Sequence, residues 1–166
     1  MATLASKMPP ARVLWRSLVD DDLAYVAALE AQIHAAPWTL GNFRDALAAG
    51  YTTRVAEREG RIVAYGVLML APGEAQILNI SVVPDARRQG FGRALLQQFI
   101  DDARELGAEQ CFLEVRVSNT AAILLYEGAG FASVARRTEY YPPVSPDAPR
   151  EDALVMRRGL MAPHAV

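Results

Sequence analysis

Cysteine, histidine and lysine are scarce in this chain: of 166 residues, one is Cys, two are His, and Lys7 is the only lysine. A single cysteine excludes an intrachain disulfide and any cysteine-based metal set. Cys111 falls in an apolar strand pattern and reads as a core residue. His34 and His164 stand isolated and far apart, which argues against a metal site or a triad built on either. The remaining basic residues are arginines, the net charge is −2, and no basic run marks a general nucleic-acid binder. No apolar run reaches membrane-spanning length, and residues 1–10 lack the apolar core of a signal peptide. The expectation is a soluble cytoplasmic protein with no membrane or direct nucleic-acid partner. The length suits one domain with a real core, and 52% apolar with 8% aromatic residues is ordinary for an α/β chain.

The informative stretch runs from Ile77 to Leu106. Leu78, Ile80 and Val82 alternate with Asn79 and Ser81, the period of a half-buried strand, and Pro84 ends it because proline cannot donate to a ladder. From Ala94 the period becomes helical: Leu95, Phe99, Ala103 and Leu106 share one face, and Gly107 supplies the stop. Between strand and helix lies Arg87-Arg88-Gln89-Gly90-Phe91-Gly92-Arg93. Gly90 and Gly92 let the backbone approach a ligand closely. The first N–H groups of the helix have no internal partner and favour an anion, and the arginines add positive charge. The stretch reads as a phosphate cradle made mostly of main chain.

Known phosphate motifs separate by spacing. A P-loop needs a Gly-Lys pair, which the chain lacks, and the dinucleotide fingerprint needs a third glycine where Leu95 stands. What remains, Arg87-x-x-Gly90-x-Gly92 after a strand, resembles the acetyl-CoA signature of the GCN5-related N-acetyltransferases (GNAT family).

The other segments fit one domain over residues 12–160, with a loose arm at 1–11 and a tail at 161–166. Val13 to Leu18 reads as a strand. Asp20, Asp21 and Asp22 provide the cap and first-turn carboxylates of a helix carrying Leu23, Val26, Leu29 and Ile33. Ala35-Ala36-Pro37-Trp38 breaks it, and Thr39 caps a second helix through Phe43, Ala46 and Leu47. Thr52–Glu57 and Arg61–Leu70 form a hairpin around Glu59-Gly60. Beyond the long helix, Cys111, Leu113, Val115 and Val117 share one face of a strand and Phe112, Glu114, Arg116 and Ser118 the other. A short helix follows, capped by Ser118 or Asn119, with Ala122, Ile123 and Tyr126 on one side. Phe131–Tyr140 and Asp152–Arg157 are a final antiparallel pair around a Pro-rich loop at 142–149. This order gives a mixed α/β fold with helices on both faces of the sheet. The resemblance implies the GNAT version of it: a mostly antiparallel central sheet whose central strands splay near Val82 to form the acetyl-CoA cleft.

Further pieces narrow the resemblance. Pro37-Trp38, Leu113-Glu114-Val115-Arg116, Ser118-Asn119-Thr120-Ala121-Ala122-Ile123 with Leu125-Tyr126-Glu127, Tyr140-Tyr141-Pro142 and Arg150-Glu151-Asp152-Ala153 are similar to the bacterial ribosomal-protein-alanine N-acetyltransferases. The match runs over roughly residues 30 to 160. It departs at Phe91, where Leu is usual, and in a longer Pro-rich loop. The resemblance implies an acyltransferase that uses acetyl-CoA, without a metal, on the N-terminal peptide of a small-subunit ribosomal protein. Another amine, a small molecule or a lysine side chain, is the alternative acceptor. By the same resemblance Glu114 is the general base and Tyr126 the general acid. Ile80, Ser81, Val82, Arg87, Arg88, Gln89, Gly90, Phe91, Gly92, Arg93 and Asn119 hold the CoA. Trp38, Tyr140 and Tyr141 line the acceptor groove.

Overall fold

A computed structural model describes residues 11–160. The expected arm, apart from Ala11, and the expected tail lie outside the described residues. Seven strands form one sheet: β1 (Val13–Arg16), β2 (Thr52–Arg58), β3 (Arg61–Ala71), β4 (Glu74–Val82), β5 (Gln110–Arg116), β6 (Ala132–Tyr141) and β7 (Glu151–Gly159). Their spatial order is β1-β2-β3-β4-β5-β7-β6. Only β4 and β5 pair in parallel; the other neighbours are antiparallel. Four helices complete the fold: α1 (Leu23–Ile33), α2 (Leu40–Ala48), α3 (Phe91–Glu105) and α4 (Thr120–Gly128).

Each face of the sheet carries its own core. Leu95, Leu96, Phe99, Ile100 and Ala103 of α3 and Tyr126 of α4 pack with Ile77, Leu113 and Met156. On the opposite face Leu23 and Val26 of α1 and Phe43 and Ala46 of α2 pack with Val55, Tyr65 and Val67. Leu106, expected on the buried face of α3, is instead 61% exposed. It lies beyond the last helical residue, where the chain already turns away. Cys111 is fully buried, and burial pushes its thiol up to about 12. Gly66 is where the α3 layer comes closest to the sheet: a Cβ there would stand 2.5 Å from the Asn79 carbonyl and 2.7 Å from the Phe99 ring.

The α1 entry differs from expectation. Asp20–Asp22 form a single 3-10 turn, and Asp22 makes no side-chain cap to α1. Its carboxylate takes both guanidinium arms of Arg16 at 2.7 and 2.8 Å, which holds its pKa below the usual carboxylate value. The start of α2 is as expected: Thr39 accepts the N–H of Asn42 at 3.1 Å, and Asn42 returns a bond to the Thr39 N–H at 2.9 Å.

A β-bulge sets the chemistry of β4. Leu68 pairs with Ile77 but Val67 pairs with Asn79, so Leu78 is an extra residue in the ladder. The bulge exchanges the faces of everything after it. Ala75 and Ile77 point toward α3; beyond Leu78 it is Ile80 that packs there, while Asn79 and Ser81 turn toward α1 and are 8% and 2% exposed. The simple alternation read from the sequence therefore assigns Asn79 and Ser81 to the wrong environment.

Candidate functional site

The parallel pairing of β4 and β5 covers only Glu74–Ile77 against Gln110–Leu113. Beyond it β5 follows β7 out to the Arg116–Ala153 pair, and residues 78–82 of β4 have a strand partner only on the β3 side. The strands thus part at Ile77 and Leu113, five residues earlier than the expected position near Val82. Unpaired strand backbone needs a partner, and here it faces a cleft of about 440 Å³. Leu78, Asn79 and Ile80 form one wall, Leu113 to Arg116 the other, and Tyr126, Asn119, Tyr141, Val144 and Trp38 lie around them.

Glu114 points from the face of β5 expected from its alternation. Its carboxylate accepts Arg137 Nε at 3.0 Å from β6 and is 15% exposed. The same carboxylate raises the pKa of the Tyr140 phenol, which bonds to it, and the Arg137 guanidinium lies 5.4 Å from the Tyr140 ring. Glu114 and Arg137 also border a second cavity of about 250 Å³, with Met69, Gln76 and Phe112 in its wall. Tyr126, on α4, is 9% exposed, stacks edge-on to Phe131 at 6.2 Å and still lines the cleft. Desolvation pushes its phenol up to about 12, so it is a neutral donor at physiological pH. Tyr126 thus packs in the core and borders the cleft at once. Asn119 caps α4 through the Ala122 N–H at 3.3 Å and lines the cleft as well.

The glycine turn lies past the end of β4. Arg88 and Gly90 both take left-handed backbone, at φ 61° and 87°. Such a turn points successive N–H groups into one concavity. Gly92 has ordinary helical backbone, and a Cβ there would meet Leu125 at 3.4 Å and Val82 at 3.8 Å. The first turn of α3 therefore sits against α4 and the end of β4. Several side chains of this stretch hold the loop itself. Arg87 Nε reaches the Val82 carbonyl at 3.4 Å, Gln89 bonds the Asp85 carbonyl at 3.1 Å and Arg58, and the Phe91 ring is buried under the Arg58 guanidinium. Arg88 and Arg93 are exposed.

The segment that carries Tyr140 and Tyr141 is braced by the Arg150-Glu151-Asp152 run. Glu139 is left-handed at φ 49°, inside an irregular part of β6 between Arg137 and Tyr141. Asp152 accepts the Glu139 N–H at 2.8 Å and Arg136 Nε at 2.6 Å, and Arg150 donates to the Glu139 and Tyr140 carbonyls at 2.8 and 3.1 Å. Glu151 accepts Arg116 at 3.3 Å and the Ser118 N–H at 3.1 Å. Both carboxyls are held below the usual range, Asp152 first by the Glu139 N–H and Glu151 first by Ser118. Three consecutive side chains so fix the bulge that presents Tyr140 and Tyr141. The Tyr141 ring lies under the Arg116 guanidinium at 4.5 Å. Trp38 packs on Phe43 at 5.2 Å and also borders the cleft, whereas Tyr140, 43% exposed, stands outside it beside Glu114.

Two site residues escape the sequence reading. Glu30 of α1 is only 2% exposed and borders the cleft, and His34, read as isolated, bonds Ser81 Oγ at 2.7 Å and stands 3.6 Å from Glu30. Glu30 lies four residues after Val26 and three before Ile33, so its place on the buried face was available from spacing alone. Among the described residues no group of three or more His, Cys, Asp and Glu is arranged to hold a metal, and no helix is long and apolar enough to cross a membrane.

The model of the acetyltransferase (GNAT) family matches residues 15–131. The chain is 39% identical over 140 residues to the [ribosomal protein bS18]-alanine N-acetyltransferase of Escherichia coli K12, covering 84% of this chain and 93% of the relative. The crystal structure of the Escherichia coli ribosomal-protein-S18-alanine N-acetyltransferase superposes with a TM-score of 0.83 at 36% identity, over 93% of this chain and 99% of that one. The structure of yncA from Salmonella typhimurium, solved with its cofactor acetyl-CoA, has the same fold (TM-score 0.74, 21% identity, 92% and 96% covered). Together with the parted central strands and the glycine turn, these matches place the chain: it belongs to the acetyltransferase (GNAT) family.

Proposed function

We propose that this chain is an acetyl-CoA-dependent Nα-acetyltransferase acting in the cytoplasm on the N-terminal alanine of a small-subunit ribosomal protein. The observation that carries the reading is the cleft between β4 and β5, lined by both Glu114 and Tyr126. The left-handed turn at Arg88 and Gly90 and the start of α3 suit the CoA pyrophosphate, and the unpaired edge of residues 78–82 suits the pantetheine and the thioester.

The acceptor amine has a reference pKa of about 8 and arrives mostly as ammonium. Glu114, oriented by Arg137 and Tyr140, takes that proton directly or through water. The amine nitrogen then attacks the thioester carbon, whose oxygen is stabilised by strand N–H groups, and the nitrogen sheds its second proton to solvent as the tetrahedral intermediate collapses to the amide. As the C–S bond breaks, the thiolate takes the Tyr126 phenol proton, and the phenoxide recovers one from solvent. Trp38, Tyr141 and the braced segment before Pro142 form the walls that receive the peptide.

CoA release measured with short peptides differing at the first residue, alongside small amines, tests the assignment. An Ala-initiated peptide is expected to be the best substrate. Preference for a small amine would replace the acceptor assignment and leave acetyl transfer intact.

A further inference from the structure

Glu30, on α1, takes no part in the mechanism proposed above. It is a nearly buried carboxyl beside the cleft, and nothing in acetyl transfer as derived above engages it. Its contacts reach β3, β4 and the connection between α1 and α2. Oε1 accepts the Trp38 N–H at 3.2 Å and Asn79 Nδ2 at 3.1 Å. Oε2 accepts the Tyr65 hydroxyl at 2.6 Å and lies 3.4 Å from Ser81 Oγ and 3.6 Å from His34 Nε2. Tyr65 is held in its protonated, donating form, since burial first and then Glu30 raise its pKa. Ser81 in turn donates to Asn79 Oδ1 at 2.8 Å.

Lone-pair accounting decides the kind of role. A carboxylate offers about four acceptor directions, and here strong donors occupy three while Ser81 and His34 crowd the fourth. With three donors from the protein already bound and only 2% of it exposed, the Glu30 carboxyl is committed to holding the fold and not to an incoming amine. What it does is join two walls. Trp38 belongs to the connection between α1 and α2, which borders the cleft through Ala35, Ala36 and Trp38. Asn79 sits on β4 immediately after the bulge, on the unpaired stretch assigned to the thioester. Through Glu30 the acceptor wall hangs from the donor strand by two hydrogen bonds to one oxygen atom. None of its contacts touches the turn at residues 87–93.

We infer that Glu30 is a positioning residue for acetyl transfer: its buried carboxyl fixes the Trp38 wall against the bulge at Asn79, and so sets the width of the acceptor end of the cleft without contributing to CoA affinity. The inference rests on the functional reading above for its acceptor half. Glu30→Gln keeps the shape but turns a donor toward groups that already donate. Leaving a buried donor unpaired is unfavourable, and the Trp38 connection is the most easily released partner.

The experiment compares Glu30→Gln with the wild-type protein in three measurements. Calorimetry with acetyl-CoA is expected to give a Kd within about twofold of wild type, and steady-state assays with an Ala-initiated peptide a KM raised tenfold or more. Acrylamide quenching of Trp38, in a Trp15→Phe background, is expected to rise. Unchanged peptide KM and quenching, or loss of acetyl-CoA affinity in step with peptide affinity, would overturn the inference. His34→Gln, which keeps a side-chain N–H near Ser81, provides a milder variant if Glu30→Gln fails to fold; the same split is expected at smaller size, and a uniform loss contradicts it. Were the wild-type protein to refuse every peptide, the functional reading would fail, while quenching and acetyl-CoA affinity would still decide the role of Glu30.

Discussion

Ile77 and Leu113 are the last pair at which β4 and β5 remain ladder neighbours. One residue later Leu78 is bulged out of the β3 ladder, and one residue later on β5 stands Glu114. The parting of the strands, the reversal of side-chain faces and the acidic side chain all fall within one step of the same pair. A parallel sheet continued past it would pair the backbone of β4 internally and close the cleft.

Tyr126→Phe keeps the ring against Phe131 and deletes the hydroxyl proposed to protonate the thiolate. Its thermal midpoint should stay close to wild type, because the ring keeps its packing in the core on the α3 side of the sheet. The chemical step should slow by roughly 10²–10⁴-fold. Single-turnover acetyl transfer measures it, and a wild-type rate would leave Tyr126 a packing residue alone.

Gly90→Ala forces a residue with a Cβ into φ 87°, a cost of about 1–2 kcal/mol, although no atom obstructs the methyl itself. Gly92→Val meets the opposite situation: ordinary backbone, but a branched side chain pressed on Leu125 and Val82. Both variants should lose acetyl-CoA affinity by calorimetry, Gly90→Ala by rearranging the turn and Gly92→Val by moving α3 from the end of β4. Unchanged affinity in both would remove the turn from the CoA site.

Acid should loosen the fold. The pKa values of Asp22, Glu151 and Asp152 are lowered in the fold, so the folded state binds fewer protons than the unfolded chain near pH 4. Their contribution is complete above the unfolded values of about 4 and is lost as pH falls below them. Asp152→Asn removes one such group, and its unfolding midpoint should show a weaker dependence on pH between about 5 and 3 than wild type. An identical slope would mean that the Glu139 bond carries no linkage.

Much of this was legible in the sequence because it depends on local rules. The cap at Thr39, the alternation of Cys111, Leu113 and Val115, and the glycine turn before an amphipathic helix all appear where spacing places them. The face of Asn79 and Ser81 was not legible, since a one-residue bulge leaves no periodic trace and inverts every side chain after it. Nor was the insertion of β7 between β5 and β6, which no hairpin rule dictates. Glu30 carries no motif that marks it; only its spacing from Val26 and Ile33 points inward. The ion pair of Glu114 with Arg137 joins residues 23 positions apart and is set by strand order, not by local pattern.

Glu114→Gln should fold, bind acetyl-CoA as wild type does, and lose rate near neutral pH. Part of the rate should return as pH rises toward 9, where more of the acceptor amine is already deprotonated. A proportional loss at every pH would assign Glu114 to binding instead of proton transfer.

The most direct measurement is the position of the acetyl group on a peptide that begins with Ala and carries internal lysines, read by fragmentation mass spectrometry with the α-amine free and with it blocked. The account predicts acetyl on the α-amine of the free peptide and none on the blocked one. Acetyl on lysine side chains in both would contradict it.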